Sequence, residues 1–160
     1  MKLSKLLLVG VILGLSTYAA FAQVNKYKCL VQMSNYVGEG AYITVSLINP
    51  QGVYEKTLQV LGDDEKWYET LEKWNEFYLQ QPSQIDGVTG ASVSGGGRSI
   101  VTLDLDASKI DKGYKLRFES AVENNKYYFD DVEIPLSSQT LTHQNNGKGY
   151  IRFVRFIKVK

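Results

Sequence analysis

Apolar residues return at every second position in short runs cut by turn-forming residues, which directs the chain to bury its side chains as strands of antiparallel sheets. Ile43, Val45 and Leu47 alternate with Tyr42, Thr44 and Ser46, and Leu116 and Phe118 alternate with Lys115, Arg117 and Glu119. Successive side chains of a strand point to opposite faces, so each pattern predicts a half-buried strand. Residues 26–34, 53–61, 98–105, 126–134 and 149–159 are rich in Tyr, Val, Ile, Phe or Thr and are read as further strands. Between them, Asn49-Pro50-Gln51-Gly52 pre-sets a turn, Asn124-Asn125 tolerates positive φ, and Asn146-Gly147 suits a type I′ hairpin.

One segment has a different period. Trp67, Leu71, Trp74 and Tyr78 recur at helical spacing after Asp63-Asp64, which can cap a helix. The spacing predicts a helix over 65–79 whose aromatic stripe packs on one side of a sheet. Beyond it, residues 82–97 read as a loop longer than most connections in a compact domain, the kind of segment that carries function. It contains Asp86-Gly87-Val88-Thr89-Gly90-Ala91-Ser92 and Gly95-Gly96-Gly97. No repeat or change of composition divides 23–160, so a single domain is expected.

The first 22 residues read as a secretory signal: Lys2 and Lys5, an apolar run from Leu6 to Leu15, then Ala20-Phe21-Ala22 as a cleavage pattern. The apolar run is shorter than the roughly 20 residues a spanning helix needs. Without Lys2 and Lys5 the chain has 16 basic against 17 acidic residues, a balance that offers nothing to a nucleic acid or a charged membrane surface. An extracytoplasmic, bacterial periplasmic location is expected. One Cys forms no intrachain disulfide, and one His builds no zinc cluster. Cys29 is expected to be a half-buried strand residue and His143 an exposed loop residue. No acid/base pair with a nucleophile can be assembled from the spacing, so no enzymatic activity is expected.

Several motifs are better read as structure. Gly95-Gly96-Gly97-Arg98 lacks the Gly-Lys-Ser/Thr ending of a phosphate loop and is read as a turn. Asp104, Asp106, Ser108 and Asp111 fail the spacing of a calcium loop, because Lys109 and Lys115 occupy the places of its Gly and Glu; capping and turn roles are expected instead. Gly90-Ala91-Ser92-Val93-Ser94 lacks the last Gly of a nucleophile elbow. Asp130, Asp131 and Glu133 are read as a solvated strand face, and Arg152, Arg155 and Lys158 as guards of a sheet edge.

The run Asp86-x-x-Thr89-Gly90-Ala91-Ser92 resembles the D-x-x-[ST]-G-A-[ST] signature of exported proteins that receive FMN from an FAD:protein FMN transferase. That resemblance makes Ser92 the acceptor hydroxyl. Gly90 and Ala91 would leave room for the transferase, and Asp86 would position the hydroxyl or help bind magnesium. From Ala41 to Gly113, Tyr42-Ile43-Thr44-Val45, Val53-Tyr54-Glu55-Lys56-Thr57-Leu58, Asp64-Glu65-Lys66-Trp67, Leu71-Glu72-Lys73-Trp74, the Asp86–Ser92 run and Gly113-Tyr114-Lys115-Leu116 together resemble the periplasmic domain of unknown function 2271 family. The resemblance implies an immunoglobulin-like antiparallel β-sandwich with one inserted helix, often encoded near flavin transferases and PepSY-type membrane proteins of extracytosolic electron transfer. It implies no established activity. The chain departs from the family in having Leu103-Asp104-Leu105 where a Trp-Asp-Gly run is usual, and Ser92 where Thr is common. Two functions follow as expectations: a carrier or accessory holding FMN on Ser92, with Trp67 or Trp74 flanking the ring, or a flavin-free interaction module for a membrane partner.

Overall fold

A computed structural model describes residues 23–160 apart from 86 and 87; the expected signal segment and Asp86 therefore lie outside the described residues. Nine strands among the described residues form two sheets: β1 (Val24–Met33), β2 (Tyr42–Ile48), β3 (Tyr54–Leu61), β4 (Thr89–Gly90), β5 (Arg98–Asp106), β6 (Lys115–Ala121), β7 (Tyr127–Pro135), β8 (Gln144–Asn146) and β9 (Ile151–Lys158). One sheet runs β5-β1-β9-β8 and the other β4-β3-β2-β6-β7. All pairings are antiparallel except the two-residue parallel pairing of β4 with β3. Cys29, Val31, Leu103 and Val154 of the first sheet meet Ile43, Val45, Leu116 and Phe118 of the second in one apolar interior, which makes the fold a β-sandwich.

Two of the strands are buried more deeply than their alternation predicts. All seven residues of β2, and all of β6 except Lys115, are buried, including Thr44, Ser46, Arg117, Glu119 and Ser120. The inward positions fill the sandwich; of the outward ones, Tyr42, Glu119 and Ala121 lie under the inserted aromatic segment, and Arg117 lies against the rings of Tyr54 and Phe129. That segment is not the continuous helix expected over 65–79. A 3-10 turn over Glu65–Thr70 is followed by a break at Leu71 and by α1 (Glu72–Tyr78). Asp64 caps the 3-10 turn by accepting from Lys66 N at 3.2 Å. A second small core forms beneath, where Trp74, Tyr68 and Leu71 pack on Tyr42, Val60 and Ala121. A bulge between the pairs Val45–Gln59 and Ser46–Thr57 turns Thr57 toward the helix and both Leu58 and Leu61 toward the sandwich.

The turns follow the sequence in two cases of three. Asn49 Oδ1 accepts from Gln51 N and Val53 N, with Gly52 at φ 82°, and Asn124 adopts φ 56°. Gly147, however, has no positive φ, so Asn146-Gly147 is not a type I′ turn. The β8–β9 connection instead wraps around the side chain of Asp131. Asp131 Oδ1 accepts from Lys148 N and Gly149 N, at 2.9 and 2.7 Å, and Oδ2 from Ile151 N at 2.9 Å and from Ser120 Oγ. Asp131 is thus fully buried, where a solvated face was expected. Cys29 is also fully buried, because the pleat turns it into the sandwich interior. Of the expected edge guards, Arg155 lies in a stretch of β9 already covered by β8, and its guanidinium donates to Gln144 Oε1.

Candidate functional site

The segment expected as a loop over 82–97 is built into the sandwich. A helical turn over Pro82–Ile85 leads into β4, whose Gly90 O accepts from Gly62 N at 2.6 Å. Val93 then exchanges two backbone hydrogen bonds with Ala41, at 2.8 and 3.0 Å. The Tyr36 hydroxyl fastens the same point by donating to Val93 O and accepting from Ala41 N, both at 2.8 Å. Gly97 N donates to Ser94 O at 2.9 Å and closes the glycine turn expected before β5. Gly95 is required there, since a Cβ would collide with the Tyr36 carbonyl.

Within this frame Thr89, Ala91 and Ser92 are exposed and Gly90 is half-buried. Ser92 lies over Gly40, where an added Cβ would meet Ser92 Oγ at 2.5 Å. An open groove of about 510 Å³ runs between the β3–β4 edge of one sheet and the β5 edge of the other. Gln59, Leu61 and Gly90 line one side of it and Ser99, Ile100 and Val101 the other, with Ser92 among the lining residues. A volume of this size falls in the range of small-molecule and cofactor sites. Four of the five residues singled out by the motif are therefore described: Gly90, Ala91 and Ser92 line the groove, and Thr89 is exposed beside it. The two tryptophans are not part of it. Trp74 is fully buried, stacks on Tyr78 at 5.0 Å and donates from Nε1 to Thr57 Oγ1 at 3.0 Å, so it cannot flank a ring held at Ser92. Trp67 packs with the second core under Lys66 and does not line the groove.

A second polar centre was hidden from sequence reasoning. Glu119 is fully buried between the five-stranded sheet and α1, and its carboxyl accepts from the Tyr54 and Tyr127 hydroxyls and from Trp74 N at 3.3 Å. Tyr127 Oη also accepts from Lys73 N at 3.1 Å. The start of α1 has no side-chain cap of its own, so these two acceptors from the sheet satisfy two of its free N–H groups, those of Lys73 and Trp74. Burial pushes the Glu119 carboxyl up to about 7 against the lowering effect of its donors. Burial and the Glu119 charge raise both tyrosines. Next to it Arg117 Nε donates to Glu133 Oε2 at 2.7 Å. Burial alone would raise Glu133, but Lys115 and Arg117 more than offset it and hold it below its ordinary value. The only sequence signal was a Glu and an Arg on a face that would be outward if nothing covered it.

Other candidates resolve into structure. Asp106 accepts from Ser108 N and caps a short turn over Ala107–Lys109, and Asp111 accepts from Ser138. His143 is exposed, its Nδ1 lying 2.7 Å from Gln139 O. Among the described residues no group of three or more His, Cys, Asp or Glu is placed to hold a metal ion. No described helix is long and apolar enough to cross a membrane. A family model described as "Predicted periplasmic protein (DUF2271)" matches residues 24–153. No curated protein and no solved structure matches the chain.

Proposed function

The chain belongs to this periplasmic family, and from that premise we propose that it is an exported, non-enzymatic carrier of extracytosolic flavin-based electron transfer, holding FMN covalently on Ser92. The observation that carries the reading is the exposure of Ser92 on the wall of an open groove, in a segment held on one side by Gly62 and Gly90 and on the other by Ala41, Val93 and Tyr36. An acceptor hydroxyl must enter the active site of a transferase, which a core residue cannot do. In the transfer, Ser92 Oγ bonds to the FMN-side phosphorus of FAD, the phosphoanhydride bond breaks, AMP leaves, and the serine proton passes to a base of the transferase. The small Gly90 and Ala91 leave room for the transferase to approach, Thr89 completes the motif, and Asp86 takes the positioning or magnesium-binding role the motif implies. The bound flavin supplies electron transfer, with a PepSY-type membrane protein as the partner class. This chain supplies a fixed attachment point.

Co-expression with an FAD:protein FMN transferase followed by intact-mass measurement tests the reading. The wild type is expected to gain one FMN and Ser92→Ala none. A wild type that weighs only its polypeptide, or equal gain on Ser92→Ala, overturns it. A competing reading, a flavin-free module for a membrane partner, draws on Ile100 and Ile157, both more than half exposed on the uncovered face of the four-stranded sheet. Capture of that partner by flavin-free protein, undisturbed by Ser92→Ala, would favour it.

A further inference from the structure

Arg98 opens β5 and lines the same groove as Ser92, together with the hydroxyl residues Ser94 and Ser99. It is the only charged residue among those lining residues. Its guanidinium makes no hydrogen bond or ion pair with any described residue. The backbone beneath it is firmly placed. Arg98 is paired with Gln32 in the β1–β5 register, and Gln32 Nε2 donates to Gly97 O at 3.0 Å and Gly96 O at 3.1 Å. The turn from Ser94 to Gly97 sets the arm bearing Ser92 beside the arm bearing Arg98. Two residues along β5, on the same face of the strand, Ile100 lines the groove with 64% of its surface exposed.

We propose that this groove is a non-covalent seat for the flavin that Ser92 carries, with Arg98 binding the phosphodiester and Ile100 receiving the isoalloxazine ring. The inference rests on the reading of Ser92 as the attachment residue and adds what holds the group once attached. A phosphodiester keeps one negative charge at neutral pH, and a planar guanidinium presents paired N–H donors that match phosphate oxygens. Among the described residues no carboxylate lines the groove to oppose that charge. The ring, tethered through a flexible ribityl chain, needs an apolar contact to stay in one place, and Ile100 is the large apolar side chain most open to solvent along the groove wall.

The test uses protein flavinylated by the transferase from FAD, with intact mass to establish attachment and acrylamide quenching of FMN fluorescence to report how far the ring is sheltered. Arg98→Gln is expected to carry the same added mass as the wild type and to show quenching raised by about threefold, the loss of one partly exposed charge-assisted contact. Ile100→Ser, which leaves the Arg98 charge in place, is expected to raise quenching similarly. Lys28→Gln, on the same sheet face but outside the groove, is expected to leave it unchanged. Flavinylated Arg98→Gln and Ile100→Ser with wild-type quenching would overturn the seat alone. A wild type that acquires no FMN would overturn the attachment reading and the seat with it, so the two failures are distinguishable.

Discussion

Glu119 is a carboxyl that folding makes costly to ionise. Its native value near 7 lies above its ordinary 4.5, so the folded protein binds a proton that the unfolded chain releases between these limits. Stability from this group is therefore full below about pH 4.5 and falls as pH rises toward 7, by about 3 kcal/mol at most. Glu119→Gln, which mimics the protonated form, is expected to flatten that part of the profile in urea titrations at pH 5 and pH 7.5; an unchanged slope would show the carboxyl titrates normally. Glu133 acts with the opposite sign, since its lowered value adds stability above its ordinary range that is lost as pH falls. On β2, Thr44 Oγ1 and Ser46 Oγ are buried with no hydrogen-bond partner among the described residues. Removing an unpaired buried hydroxyl at constant shape takes away a desolvation cost, so Thr44→Val is expected to raise stability by about 1 kcal/mol, read as a higher urea midpoint. The sequence showed the residue types at 44, 46, 117 and 119 but not their burial, because a period of two states which side chains share a face and not what covers that face.

At the scale of elements, the motif strand and the β8–β9 connection are fixed by contacts distant in sequence. Gly40→Ala would drive a Cβ against Ser92 Oγ and displace the acceptor side chain. Its flavinylation is expected to fall well below wild type in a time-resolved mass assay while circular dichroism stays unchanged; equal rates would mean that the position of Ser92 does not limit transfer. Asp131→Asn leaves one acceptor oxygen where the carboxylate serves three backbone N–H groups and one hydroxyl. The expected loss is about 2–4 kcal/mol in chemical denaturation, with the connection from Gly147 to Tyr150 the first to lose amide protection. The inserted helix shows the same dependence. Its aromatic spacing was legible in Trp67, Leu71, Trp74 and Tyr78, yet the break at Leu71 was not, because the groups that satisfy the N–H donors of Lys73 and Trp74 come from Tyr127 and Glu119 on two other strands.

For the whole molecule, Cys29 is a reporter of global opening. It sits at the centre of the β5-β1-β9 pairing with no exposed surface, and burial pushes its thiol far above the ordinary range. Labelling by a thiol reagent is expected to be negligible in the native state and to rise with denaturant in step with global unfolding; fast native labelling would reveal a local opening of β1. The strand pattern, the Asn49–Gly52 turn, the aromatic stripe and the Thr89–Ser92 motif were determined by the sequence alone, since propensity, side-chain alternation and turn chemistry act over a few neighbouring residues. Packing in three dimensions was needed to show that β2 and β6 are covered on both faces, that Asp131 organises a distant connection, that Trp74 belongs to a core, and that Ser92 and Arg98 share one groove. Each of those depends on which elements meet in space, and pairing between strands far apart in the chain is settled by the joint packing of two sheets and a helix, which no local pattern encodes.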